Sequence, residues 1–79
     1  MKTQDFRLMV EAERVESVVL YRSGPSESWR IVVYGDRIPF RLQSVIETAK
    51  GEVREFSDIG TAYRVIRSSG WQNPITIDG

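Results

Sequence analysis

Val15-Glu16-Ser17-Val18-Val19-Leu20-Tyr21-Arg22, then Ser23-Gly24-Pro25-Ser26-Glu27-Ser28, then Trp29-Arg30-Ile31-Val32-Val33-Tyr34-Gly35: these three consecutive stretches decide the fold. The outer two are rich in β-branched and aromatic residues, which suit a pleated, half-buried surface. The middle one is dense in Gly, Pro and Ser, the residues that set up turns. Two such runs joined by a short turn-forming loop predict an antiparallel hairpin over 15–22 and 29–35. Side chains alternate across a strand. Trp29, Ile31 and Val33 therefore share one face of the second strand, and Arg30, Val32 and Tyr34 share the other. The apolar set is expected to meet the core, and Asp36-Arg37 to turn the chain onward.

The flanks supply further elements. Residues 3–13 place Phe6, Met9 and Val10 at helical spacing, with Thr3 as the expected N-cap. Over 40–50, Leu42, Val45, Ile46 and Ala49 fall at i, i+3, i+4 and i+7. Pro39 suits a first helical turn, and Gly51 stands where a C-terminal cap belongs. A helix is expected there. The rival is a strand, because Ile38, Phe40 and Leu42 also alternate. Residues 52–56 read as a short strand. Ser57 is the expected cap of a second helix with Ile59, Ala62, Tyr63 and Ile66 as its apolar stripe. Arg64 and Arg67 suit its C-terminal dipole. Gly70 and Trp71 fit a cap in which glycine takes positive φ and the next residue packs back on Ile66. Residues 74–78 read as a last strand, with Pro74 at its start. The order β-β-α-β-α-β, with a leading short helix, predicts one α+β domain over 1–79. Its helices would cover one face of a small, mostly antiparallel sheet.

Composition bounds the chemistry. The chain has 79 residues, no His and no Cys. The usual neutral-pH base, the thiol nucleophile and the commonest transition-metal ligands are missing together. The eight serines include none in a nucleophile elbow. Ser57 reads as a cap, and Ser23, Ser26 and Ser28 as turn residues. The carboxylate clusters Glu11, Glu13, Glu16 and Glu52, Glu55, Asp58 lack the spacing of a calcium loop. The Ser23–Ser26 loop is too short for a phosphate cradle, and Pro25 lacks one of the N–H groups such a cradle needs. No catalytic, cofactor-binding or metal-binding residues are therefore assigned, no cofactor is expected, and a non-enzymatic role follows.

Eleven basic residues balance eleven acidic ones, giving a net charge of +0. Such a chain has no global field to draw in nucleic acid or an anionic membrane. Nine of the eleven cations are Arg, however, and Arg is the residue of bidentate phosphate recognition. Arg30, Tyr34, Arg37 and Arg41 are the candidate nucleic-acid-binding residues, since a sheet carrying Arg and aromatics can contact DNA. The simpler assignment, preferred here, makes them ordinary surface residues. The apolar runs at 18–21 and 31–34 are too short to span a membrane. Met1-Lys2-Thr3-Gln4-Asp5 lacks the apolar core of a signal peptide, so the cytoplasm is the expected location. A core this small, with no disulfide or zinc staple, makes self-association a natural way to bury more surface.

The segment Glu47-Thr48-Ala49-Lys50-Gly51-Glu52-Val53-Arg54-Glu55-Phe56-Ser57-Asp58-Ile59-Gly60-Thr61-Ala62, with the hairpin before it and Ile66 to Trp71 after it, resembles small bacterial proteins encoded on plasmids and integrated elements. Some of these are labelled partition-associated. They share a T-A-basic-G-E-x-R-x-F stretch, a capped helix, a Gly and a terminal strand. Gly60 departs from that pattern, which more often has an ordinary residue there. The resemblance implies a small bacterial accessory protein linked to mobile elements, and it carries over no catalytic residues. The expected partner is another protein or a second copy of the chain, with a DNA-binding accessory module as the alternative. No small-molecule substrate is implied.

Overall fold

The computed structural model describes residues 1–35 and 44–79. The hairpin forms as the sequence predicts. Strand β1 (Val15–Tyr21) pairs antiparallel with β2 (Arg30–Gly35), in a register that sets Val19 opposite Val32 and Tyr21 opposite Arg30. Glu16 is an extra residue between the pairs Val15–Gly35 and Ser17–Tyr34. This bulge brings the backbone of Arg14 against Gly35, where a Cβ would collide with the Arg14 carbonyl oxygen.

Two further strands complete a four-stranded sheet. Strand β3 (Ser44–Val45) adds antiparallel to β2, and β4 (Thr76–Asp78) adds parallel to β1, giving the order β3-β2-β1-β4. The sheet is thus mixed, with two antiparallel pairings and one parallel. Helix α1 (Thr3–Glu11) leads the chain and α2 (Ile59–Ser68) precedes β4, so the domain is α+β. Both helices feed one face of the sheet. Phe6 from α1 and Ala62 and Ile66 from α2 join Val18, Leu20, Ile31 and Val33 in the core. Trp29, Ile46, Phe56 and Trp71 belong to the same core. Helix α1 starts one residue earlier than a Thr3 cap implies: Lys2 is the cap, and its backbone N–H donates to the Asp5 carboxylate at 3.4 Å.

The helix expected over 40–50 is not formed where the structure describes it, and residues 40–43 lie outside the described residues. Val45 pairs with Val32, and the Ile46 N–H donates to the Ile31 carbonyl at 3.0 Å. Gly51 does adopt positive φ (87°), but within a tight turn rather than a helix cap: its N–H donates to Thr48 O at 2.9 Å. The i, i+3, i+4, i+7 pattern lost because the open edge of β2 offers both backbone bonds and a core place for Ile46, which is fully buried. Tertiary pairing outweighs a local preference of a few tenths of a kcal/mol per residue. The strand expected over 52–56 shrinks to isolated pairs, Val53 with Glu47 and Phe56 with Trp29.

Helix α2 follows its sequence signals, with the cap moved from Ser57 to Asp58. The Asp58 carboxylate accepts from the Thr61 N–H at 3.2 Å and from the Thr61 hydroxyl at 3.0 Å. Those bonds, the Thr61 hydroxyl first, hold its carboxyl below the usual carboxylate range. A Cβ at Gly60 would lie 3.3 Å from that carboxylate, so glycine leaves room for the cap. The helix ends at Gly70 (φ 101°), and Trp71 is buried with Ile66 in the core. Of the expected apolar stripe, Ala62 and Ile66 are buried, while Tyr63 stays half-exposed with the Arg67 guanidinium over its ring. Arg67 also donates to the carbonyls of Trp71 and Asn73, both at 2.8 Å, tying down the turn into β4.

Candidate interaction face

The hairpin register dictates what the second face of the sheet carries. Directly paired residues point to the same side. One row across the strands is therefore Val45, Val32, Val19, Thr76, and the next is Arg30, Tyr21, Asp78. Tyr34 lies one row the other way, opposite Ser17. None of these residues belongs to the core cluster. Val32, paired with Val19 and Val45, is 6% exposed. It floors a groove of about 320 Å³ shared with Val19, Tyr21, Tyr34 and Asp78.

The buried residues of both helices lie on the opposite side, so among the described residues no helix covers this face. The groove joins an apolar floor to two phenols and a carboxylate, a composition suited to contact with another surface. Among the described residues, no group of three or more His, Cys, Asp or Glu side chains is placed to hold a metal ion. No helix there is long and apolar enough to cross a membrane.

The residues singled out from sequence divide as follows. Arg30 and Tyr34 share the outer face, with Val32 between them, and Trp29 points into the core. Arg37 and Arg41 lie outside the described residues. Arg30 is engaged by an acid: its Nη2 lies 3.2 Å from Glu55 Oε1, both side chains about half exposed at 47% and 53%. A pair that exposed contributes little to stability, but it offsets the local positive charge. Arg22 is also committed, with its guanidinium 4.3 Å from the centre of the Trp29 ring and its Nη1 donating to Pro25 O at 3.1 Å.

Sequence reasoning missed Val19, Tyr21 and Asp78. The alternation of Ser17, Val19 and Tyr21 carried the signal for the first two once the hairpin register is drawn. Asp78 reaches the face only through the parallel pairing of β4, which no local pattern announces. Comparison with protein-family models, with curated proteins and with solved structures finds no match.

Proposed function

We propose that this chain is a non-enzymatic accessory module that acts through protein–protein contacts made by the outer face of its sheet. The bacterial, mobile-element setting is the one its resemblance implies. The observation that carries the reading is the continuous Val45-Val32-Val19 row, flanked by Tyr21 and Tyr34, on the side opposite the core. Aromatic residues around an apolar centre are the composition of contact surfaces, because they bury much area at little entropic cost. The absence of His and Cys from the sequence supports a role without acid–base or thiol chemistry.

A DNA-binding role through Arg30, Tyr34, Arg37 and Arg41 is the competing reading. It draws on Arg30 and Tyr34 sharing one face, and it is weakened by Glu55 beside Arg30 and Asp78 in the same row. Two measurements separate the readings. A photo-crosslinking amino acid in place of Tyr34, in cells producing the chain, is expected to join it to one defined protein identified by mass spectrometry. The same group in place of the exposed Arg64 of α2 is expected not to do so. Binding to mixed-sequence duplex DNA is expected to be no tighter than about 100 μM at physiological salt. Micromolar DNA binding, lost when Arg30, Arg37 and Arg41 are all replaced by Gln while the fold persists, overturns the proposal. Equal crosslinking from both positions does so too.

A further inference from the structure

We infer that the partner of the outer face is a second copy of this chain, packed face to face about a two-fold axis running along β1. The inference rests on the preceding reading and names its occupant. Its basis is the charge order of one row. Phe56 pairs antiparallel with Trp29, which sets Glu55 beside Arg30, so the row reads Glu55, Arg30, Tyr21, Asp78.

A two-fold contact is self-complementary: whatever one copy presents must meet what the same surface presents after rotation. An axis along β1 lays Tyr21 on Tyr21 and Val19 on Val19 of the second copy. It also brings Arg30 of each copy over Asp78 of the other, twice per dimer. Moving the axis between β1 and β2 sets Glu55 against Asp78, acid on acid. Turning it across the strands leaves Asp78 without an opposite charge. The alternation of sign along the row thus selects one arrangement. Sheets packed this way keep their strands within about 30° of alignment, so the rows stay in contact near the axis.

The interface is small. Strands about 4.8 Å apart and residues about 3.3 Å apart along them give the four strands a face of roughly 300 Å² per copy. That is well under half the standard size, in the range of weak and transient contacts. The association belongs in the range of tens to hundreds of micromolar, roughly, and its specificity comes from the charges.

Sedimentation equilibrium from about 10 μM to about 1 mM covers that range. The mass is expected to rise from the 9.1 kDa of the monomer toward twice that value. Arg30→Glu alone and Asp78→Arg alone are each expected to weaken association about tenfold or more, since each sets like charges together at both symmetric contacts. An equimolar mixture of the two variants is expected to regain it. In the mixed dimer the introduced glutamate of one copy faces the introduced arginine of the other, while the unaltered Asp78 and Arg30 meet at the second contact. Tyr21→Lys provides a variant independent of the Glu55 pair and is expected to abolish association by stacking like charges on the axis. Circular dichroism checks each fold. A mass that stays at the monomer value to the top concentration overturns the inference. So does association that the mixture fails to regain. In either case crosslinking at position 34 still judges the underlying reading by itself.

Discussion

Gly70 and Trp71 are the residues on which the end of α2 turns. At φ 101° any side chain meets the steric penalty that glycine escapes. A Cβ there would find only ordinary contact with Val10, at 3.5 Å, so the cost is conformational. Gly70→Ala is expected to lose about 1–2 kcal/mol of stability in denaturant unfolding. Gly35→Ala is expected to cost more, because the obstruction is the Arg14 carbonyl, which cannot swing away as a side chain can. Equal midpoints for the two variants would contradict this account of the bulge. Trp71→Ala removes a large core side chain and is expected to cost about 3–5 kcal/mol. Asp58 supplies a pH dependence. Its carboxyl titrates below its unfolded value, so it stabilises the fold above that value. The contribution is lost as pH falls from the ordinary aspartate value, near 4, through the depressed one. Asp58→Asn can still accept the Thr61 bond but cannot titrate. It is expected to flatten the acid limb of the thermal-stability profile, and an unchanged limb would show that Asp58 does not contribute to it.

At the scale of elements, the hairpin and α2 were legible and β3 was not, and the difference is physical. The hairpin carries its pairing partner, its turn and its alternation within residues 15–35. Helix α2 carries a cap, a stripe and a glycine stop within residues 58–70. Strand β3 shows two residues among those described, and what defines it is the edge of β2, which lies in another part of the sequence. Val45 and Ile46 suit either structure, so the pattern around them could not decide. The pairing itself is open to test. Ile46 donating to Ile31 makes the neighbouring pair, Val32 and Val45, the closer-spaced kind, about 4.5 Å between Cα atoms. That spacing admits a disulfide. In a chain with no other cysteine, Val32→Cys with Val45→Cys is expected to crosslink under mild oxidation and to gain roughly 2–3 kcal/mol of stability that reduction removes. A pair that stays reduced would argue for the helix instead.

At the scale of the whole molecule, one face of the sheet holds the domain together, and among the described residues no helix covers the other. The core face was legible because alternation and helical stripes report burial directly. Half of the outer face was legible for the same reason, since Arg30 and Tyr34 follow from β2 alone. Its acidic end was not, because Asp78 joins the row through a parallel pairing that spans the chain from β1 to β4. The claim that this face meets a second copy of the chain is tested most directly by NMR of the isotope-labelled chain, following shifts from about 20 μM to about 1 mM, the range expected of a weak contact. The account predicts concentration-dependent shifts at Val19, Tyr21, Val32, Tyr34 and Asp78, with Leu8 on α1 and Tyr63 on α2 unmoved although both are exposed. Spectra that do not change with concentration, or shifts centred on Leu8 and Tyr63, would contradict it.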